Sequence, residues 1–493
     1  MFLGKGCLFP ATGTEGLVAR NLLSPSPYDI LPPMSLTVEI TGVAYGGSGI
    51  GRINNKVVFT PFTAPGDVAE IEIIEDKKDF SIAKLIGLKE ASKMRTSSPC
   101  PVYMICGGCQ MQHIEYGQQV RLKEKIFVET FQRLAKTDLT PILNPALASP
   151  KPFNYRSRVR FHRAGKKWGF FKPNSHSIVE IQDCPLLEHP LNSALLSLKA
   201  TEFPDTLYGA EVSLDKQSGK TVAAFSLNKN TPFDWNAAIN KIPLIKGFEV
   251  WVKDPFKRGR GRMVITQGDT RVSYKAGDFI ISSGVSSFSQ ANLFQNERLA
   301  EAIVEFSGLT KNDDAFDLFC GAGNFTFPLS EKARMVYGSD TDHSAIKNAR
   351  QNALKNNVSN VEFSIESSKG RESRAEPRPM LRMGTPHNSL TAASDKQSTG
   401  FIDSSRRPQD NLEKRAPSVV ILDPPRGGAF ETIKKLPGLE AEKIVYVSCA
   451  PPTMARDCAF LIKHGYTPDF ALAVDMFPQT YHVEGVVAFK RGN

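Results

Sequence analysis

Cys449, in Ser448-Cys449-Ala450-Pro451-Pro452, follows the apolar run Ile444-Val445-Tyr446-Val447. That run reads as a buried strand that delivers the thiol to its C-terminal edge, where open α/β sheets bind ligands. A thiol in that place is a candidate nucleophile, and His482-Val483-Glu484 offers the carboxylate of Glu484 as a candidate base. Upstream, the run from Ala315 through Phe319-Cys320-Gly321-Ala322-Gly323-Asn324 to Phe325 reads as strand, glycine-rich turn and helix. Its glycines let a ligand approach the backbone, and the next strand, Met335 to Gly338, ends at Asp340, whose carboxylate can accept hydrogen bonds from a ribose diol. Such a pair fits a dinucleotide or S-adenosylmethionine, and the spacing, shorter than the usual dinucleotide fingerprint, favours S-adenosylmethionine. A third strand, Val419 to Leu422, ends in Asp423-Pro424-Pro425-Arg426.

A second group of reactive side chains lies far from the first. Cys100, Cys106 and Cys109, with Cys184 as a distant fourth, account for half of the eight cysteines; Cys7, Cys320, Cys449 and Cys458 stand apart. Four thiolates suit tetrahedral zinc or an iron-sulfur cluster. The usage is that of a cytoplasmic protein with metal or catalytic cysteines and not of a disulfide framework.

The elements that must position these groups fall into several regions. Met1 to Pro33 has little periodicity and no continuous apolar core of a secretory signal, so 1–34 is expected to be a disordered leader; an overcalled start before Met34 fits, and an organellar presequence is the rarer alternative. From 35 to 90 the pattern is all β with glycine-rich turns, which predicts a small barrel of the kind that commonly binds RNA. Gly46-Gly47-Ser48-Gly49-Ile50-Gly51 lacks the lysine and helix of a phosphate loop and reads as turn chemistry. A central α+β region, 91–280, holds the cysteines and an amphipathic helix over 116–134 that could pack on the catalytic domain. In its strand Tyr155 to Phe161, Arg156, Arg158 and Arg160 would share one face. With Arg163, Lys166, Lys167, Trp168, Phe170, Phe171 and Lys172, they are expected to set phosphate-contacting charge among stackable aromatics; a solvated face with core aromatics is the alternative.

A doubly wound α/β domain is expected over 281–493, interrupted at 367–415 by a Ser-, Arg-, Pro- and Gln-rich segment that predicts a disordered insertion. The whole chain has 493 residues, 41% of them hydrophobic, enough for several ordinary cores. Its net charge of +10 favours a polyanionic partner. No apolar run approaches the roughly 18–20 residues that span a bilayer, so no membrane association is expected.

Phe288-Ser289-Gln290-Ala291-Asn292, Asp317 to Asn324, Asp423-Pro424-Pro425-Arg426, Ser448-Cys449 and His482-Val483-Glu484 together resemble the RNA uracil-C5 methyltransferases, specifically the iron-sulfur branch that modifies 23S ribosomal RNA. The resemblance runs from Ser35 to the C-terminus, the insertion excepted. It implies a Rossmann-like methyltransferase domain, an N-terminal OB-like TRAM barrel and a central iron-sulfur domain. It also implies that Gln290, Phe319, Asn324, Asp340 and Asp423 line the pocket for S-adenosylmethionine and the target base, and that Cys100, Cys106, Cys109 and Cys184 hold a [4Fe-4S] cluster. The family often has Asn after its nucleophilic cysteine, where this chain has Ala450, and a further family contact falls near Ser367.

The chemistry of such a reaction fits the residues. C5 of uracil is a poor nucleophile, so a thiolate must add at C6 before C5 can attack a sulfonium methyl, and a base must then take the C5 proton. Cys449 would supply the thiolate and Glu484 the base. The target uridine must be flipped or single-stranded. Asp423-Pro424-Pro425-Arg426 argues against an adenine-N6 enzyme, which would carry Asn-Pro-Pro-Tyr or a close relative. Transfer RNA as the substrate, or a non-catalytic RNA-binding iron-sulfur protein, are the alternatives; no obligate protein partner is expected.

Overall fold

The computed structural model describes residues 35–254, 259, 261–366 and 416–492. The expectations for 1–34, for the insertion 367–415 and for the contact near Ser367 lie outside the described residues. Among the described residues no helix is long and apolar enough to cross a membrane.

The N-terminal strands β1 (Leu36–Val43), β2 (Ser48–Ile53), β3 (Lys56–Pro61), β4 (Val68–Asp76) and β5 (Phe80–Glu90) close into a barrel in the order β1-β2-β3-β5-β4. Its interior holds Val38, Ile40, Val58, Ala69, Ile71 and Ala83, alternate residues along their strands. Asn54 and Asn55, both at positive φ, make the tight β2-β3 turn. At the barrel's end the buried carboxylate of Asp67 accepts from the Arg95 guanidinium at 2.7 and 2.8 Å and from the backbone N–H groups of Ala64 and Ser92. The cysteine-bearing segment therefore starts from a fixed point.

The helix Tyr116–Leu134 follows the cysteines, and then β6 (Leu143–Leu147). A seven-stranded sheet comes next. Its order is β13-β12-β11-β10-β7-β8-β9, from β7 (Arg158–Ala164), β8 (Lys167–Phe171), β9 (Ile178–Glu180), β10 (Leu207–Leu214), β11 (Thr221–Leu227), β12 (Ile245–Val252) and β13 (Arg262–Gly268). The hairpin β14 (Arg271–Ala276) and β15 (Phe279–Gly284) spans the boundary expected at 280, and its Tyr274, Ala276 and Ile281 belong to the C-terminal core.

That core surrounds an eight-stranded sheet in the order β18-β17-β16-β19-β20-β22-β21-β6. The strands are β16 (Asp314–Leu318), β17 (Met335–Asp340), β18 (Val361–Ile365), β19 (Val419–Leu422), β20 (Lys443–Ser448), β21 (Tyr466–Val474) and β22 (Glu484–Arg491). β16 to β20 run parallel, whereas β22 is antiparallel between β20 and β21. Both faces are covered. Val419, Ile421, Val445 and Val447 pack on one side with the helix Leu293–Ser307; Val420, Leu422, Ile444 and Tyr446 pack on the other with the helices Tyr116–Leu134 and Pro451–Lys463. Double coverage is why these strands read as unbroken apolar runs. The helix Tyr116–Leu134 and β6, which precede the seven-stranded sheet in the chain, thus complete the C-terminal layers, and Gly485 leaves the space that the Phe127 ring occupies.

The basic strand differs from its expectation. Arg158 is 16% exposed and its guanidinium pairs with Glu211 and donates to the carbonyls of Ser287 and Val285 and the hydroxyl of Ser289. Arg163 is likewise turned onto the carbonyls of Phe203, Pro204 and Leu207. Trp168 and Phe170 are core residues of the seven-stranded sheet, while Phe171 stacks on His162 at 3.8 Å. Only Arg160, Lys166, Lys167 and Lys172 of the expected basic set are exposed among the residues whose role depended on it. Arg158→Ala should therefore lower stability by about 3–5 kcal/mol in denaturant melts, the scale for breaking a buried pair. Arg160→Ala should leave the melt unchanged and lower the salt slope of single-stranded RNA binding by about one unit.

Candidate active site

Four parallel strands bring their C-terminal ends to one edge. β16 leads to Phe319, β17 ends at Asp340, β19 is followed by Asp423, and β20 is followed by Cys449. Because β22 runs antiparallel to β20, its first residue, Glu484, lies at the same edge. Ser448 pairs with Gly485, which sets Cys449 beside Glu484.

The loop after β16 is tightly determined. Phe319 holds φ at +67°, a left-handed conformation that a bulky side chain adopts only when its surroundings impose it. Gly321 N–H donates to Asp340 Oδ2 at 3.0 Å, and Asp342 N–H to Oδ1 at 2.9 Å. Each carboxylate oxygen keeps a further lone pair for a diol. Asn324 forms a reciprocal amide pair with Asn296, both bonds 2.9 Å, and accepts from Tyr274 Oη at 3.2 Å. Its side chain holds the loop to the helix Leu293–Ser307, and at these bonds it faces protein. Gln290 is buried, and Phe288, two residues before it, is exposed.

The electrostatics of the edge are dominated by carboxylates in a dry setting. Burial pushes Asp317 up to about 7, with Asp423 and Asp340 adding to the shift, although Thr326 Oγ1 donates to it at 2.5 Å. Burial also raises Asp423 and Glu484, and Asp423 further raises Glu484. Glu484 is only 3% exposed. The Cys449 thiol is half-buried and pushed up to about 11, first by burial and then by Glu484 and Asp423, against the pull of Arg426. Arg426 is the cation of the site: it favours the charged forms of both Cys449 and Glu484 and lies 3.4 Å from His482 Nε2. Burial and Arg426 lower His482 to about 4, so its imidazole is neutral at neutral pH.

Sequence reasoning quoted Arg426 and His482 within motifs but gave neither a role. The charge on Arg426 amid so many carboxylates was the available signal. It missed Tyr45 of the barrel and Tyr481, whose rings meet near this edge at 5.6 Å.

The other cysteines lie apart from this edge. Cys109 is buried and Cys100, Cys106 and Cys184 half-buried, all as free thiols. Burial raises Cys109 to about 12 and Cys184 to about 11; Cys184, Cys106 and Cys100 add to the first shift, and Cys100 and Cys106 to the second. Cys106 Sγ accepts from Gly108 N–H at 3.4 Å, and Cys184 is clamped between Asn192 Oδ1 and Nδ2. Among the described residues, no group of three or more His, Cys, Asp or Glu side chains is arranged to hold a single metal ion. The segment still reaches the active site, because the N–H groups of Gln110 and Met111 both donate to the Gln479 carbonyl.

Comparison with known proteins places this architecture. Residues 35–86 match the TRAM domain family, and residues 269–406 and 398–492 match the tRNA (Uracil-5-)-methyltransferase family. An RNA methyltransferase of Clostridium acetobutylicum is 30% identical over 470 residues, covering 90% of this chain and 94% of that protein. The 23S rRNA (uracil(1939)-C(5))-methyltransferase RlmD of Legionella pneumophila is 28% identical over 472 residues, covering 93% of this chain and 98% of its own. The crystal structure of the tRNA (uracil-54, C5)-methyltransferase of Pyrococcus abyssi, in complex with S-adenosyl-L-homocysteine, shares the fold with a TM-score of 0.65 at 23% identity, covering 92% of this chain and 100% of that one. A strand-edge thiol beside a buried carboxylate, in a chain that also carries a TRAM barrel and matches these proteins along nearly its whole length, makes the chain a member of the RNA (uracil-5-)-methyltransferase family, S-adenosylmethionine-dependent enzymes that act on RNA.

Proposed function

We propose that the protein methylates C5 of a uridine in 23S ribosomal RNA, with Cys449 as nucleophile and Glu484 as base. The observation that carries this reading is the register that sets Cys449 beside Glu484 at one sheet edge. The likeness to the Legionella enzyme supports the ribosomal substrate. Asp340, the Phe319–Asn324 loop, Gln290 and Asp423 would hold S-adenosylmethionine, which when bound would supply an electrophilic methyl group and leave as S-adenosylhomocysteine. The carboxylates of this edge suit the donor's cationic sulfonium and amino groups. The Cys449 thiolate, favoured by Arg426, adds to C6 of the uracil and leaves C5 with enolate character. Once C5 carries the methyl group, Glu484 takes the C5 proton, the electron pair returns to the ring, and the C6–S bond breaks to restore the thiolate. A raised carboxylate is a stronger base than an ordinary one, which suits this step.

We also propose that Cys100, Cys106, Cys109 and Cys184 hold a [4Fe-4S] cluster. The support is a donor set of four thiols that lie within one another's field. Anaerobically purified protein should be brown and carry about four irons per chain. Zinc without iron would overturn the assignment.

Three further outcomes are expected. With RNA and S-adenosylmethionine, Cys449→Ala should give neither product nor covalent adduct, whereas Glu484→Gln should accumulate an enzyme-RNA adduct that denaturing gels retain. An adduct in the Cys449 variant would move the nucleophile elsewhere, and normal turnover in the Glu484 variant would remove that residue from the base role. Mass-spectrometric mapping of 5-methyluridine in a deletion strain should show the loss in 23S rRNA; a loss confined to transfer RNA would change the substrate.

The Asp317 shift gives a stability profile. Its folded-state pKa lies above the ordinary value of 3.8, so its protonated form is favoured on folding, and that contribution is lost as pH rises from about 4 through about 7. Asp317→Asn cannot lose it. The variant should therefore gain on the wild type across that window in denaturant melts and hold a constant difference above it.

A further inference from the structure

The barrel does not stop short of the catalytic edge. Its β1-β2 loop carries Tyr45, whose ring stands at 86° to Tyr481 with centroids 5.6 Å apart. Tyr481 in turn lies against His482 at 4.1 Å, and His482 faces Arg426. Tyr45 is thus the far ring of an aromatic series that begins at Arg426.

Gly47 makes the approach possible. It holds φ at +85°, and a Cβ there would stand 2.8 Å from Gln110 Cβ and 3.1 Å from Tyr481 Cβ. The inner part of Tyr45 packs against the cluster of Val43, Met111 and Ile114, which fixes its position, while the residue as a whole stays half-buried. Its phenol is raised by burial, then by Tyr481 and Cys449, and lowered by Arg426, as expected of a group at the mouth of the same pocket.

A uridine that reaches Cys449 must leave its stack, and its departure exposes the face of a neighbouring base. Aromatic side chains take up such faces without regard to sequence. Because the two tyrosines meet edge to face and His482 covers part of Tyr481, Tyr45 is the ring best placed to receive a base entering from the barrel side. We propose that Tyr45 is a substrate-positioning residue, stacking on the base next to the reacting uridine, so that the barrel grips the RNA at the catalytic pocket itself. This rests on the reading of the protein as a uridine methyltransferase.

Steady-state kinetics on unmodified 23S rRNA would compare the wild type with Tyr45→Leu, which keeps apolar packing and removes the ring, and Tyr45→Phe, which keeps the ring. The expected result is a KM for RNA raised about tenfold or more in the leucine variant, with kcat and S-adenosylmethionine affinity held, and near wild-type values in the phenylalanine variant. An unchanged KM in the leucine variant would overturn the proposal. So would a joint shift of KM, cofactor affinity and melting temperature in both variants, which marks a residue that merely supports the scaffold. A wild type inactive on every RNA offered would instead sink the methyltransferase reading, and this inference with it.

Discussion

The buried ion pair between Lys123 and Asp475 fixes the segment on which the active site depends. The two side chains are 2% and 1% exposed, and Lys123 Nζ donates to Asp475 Oδ1 at 2.6 Å and to the Phe477 carbonyl at 3.0 Å. Burying both charges is costly, and the second bond from Lys123 helps offset that cost. What the pair secures is position. The helix Tyr116–Leu134 is joined through it to the chain just after β21, and Gln119 continues the join by exchanging hydrogen bonds with Gln479 at 2.9 and 3.0 Å. Tyr155 donates to the Pro478 carbonyl, Asn292 to that of Met476, and Gln110 and Met111 to that of Gln479. Gln479 is held at φ +71° by this set of bonds. Tyr481, His482 and Glu484 come next in the chain, so the Glu484 carboxylate inherits its place from contacts made by the cysteine segment, the helix and the central region together.

The charges at the sheet edge divide two opposite tasks. Asp317, Asp340, Asp423 and Glu484 form a carboxylate group that suits a cationic cofactor but would repel a phosphate backbone. Arg426, exposed at the mouth, reverses the sign where RNA must enter and also draws Cys449 toward its thiolate. Burial raises the Cys449 thiol and the carboxyl groups of Asp317, Asp423 and Glu484, which favours their protonated forms. A bound cation would favour the charged forms.

The sheet was legible in sequence wherever a strand was buried on both faces. Val419–Leu422 and Ile444–Val447 are continuous apolar runs, and the polar residues that follow them mark the working edge. The helix Tyr116–Leu134 was legible as a helix, but its apolar stripe does not say which sheet it covers; Phe127 and Phe131 meet β20 to β22, hundreds of residues later in the chain. The arginine alternation at 156–160 was ambiguous for a related reason. A charged residue every second position satisfies both a solvated face and a face closed by another element, and Glu211 with the 285–289 backbone supplies the second for Arg158. Asn324 was identified with the cofactor loop but not with Asn296, its partner across the fold. Tyr45 and Tyr481 carried no signal at all, because neither has a local pattern that announces a contact between barrel and catalytic domain.

The antiparallel strand resolves a geometric difficulty in placing the proposed base beside the proposed nucleophile. In a wholly parallel sheet every strand starts at the edge opposite the ligands, so a residue at a strand's beginning cannot meet one at its neighbour's end. Reversing β22 between β20 and β21 brings its first residue to the working edge, and the pairing of Ser448 with Gly485 fixes which residue that is. A slip of one residue would move Glu484 by about 3.3 Å and turn its side chain to the other face of the sheet. The register is secured from both sides. Val486 and Ala488 pack on one face and Val487 and Phe489 on the other, so that any slip would exchange the two apolar sets and drive side chains at Gly485 into the Phe127 ring. The precision that the proposed proton removal needs is therefore supplied by packing along the whole strand, far from the Glu484 carboxylate itself.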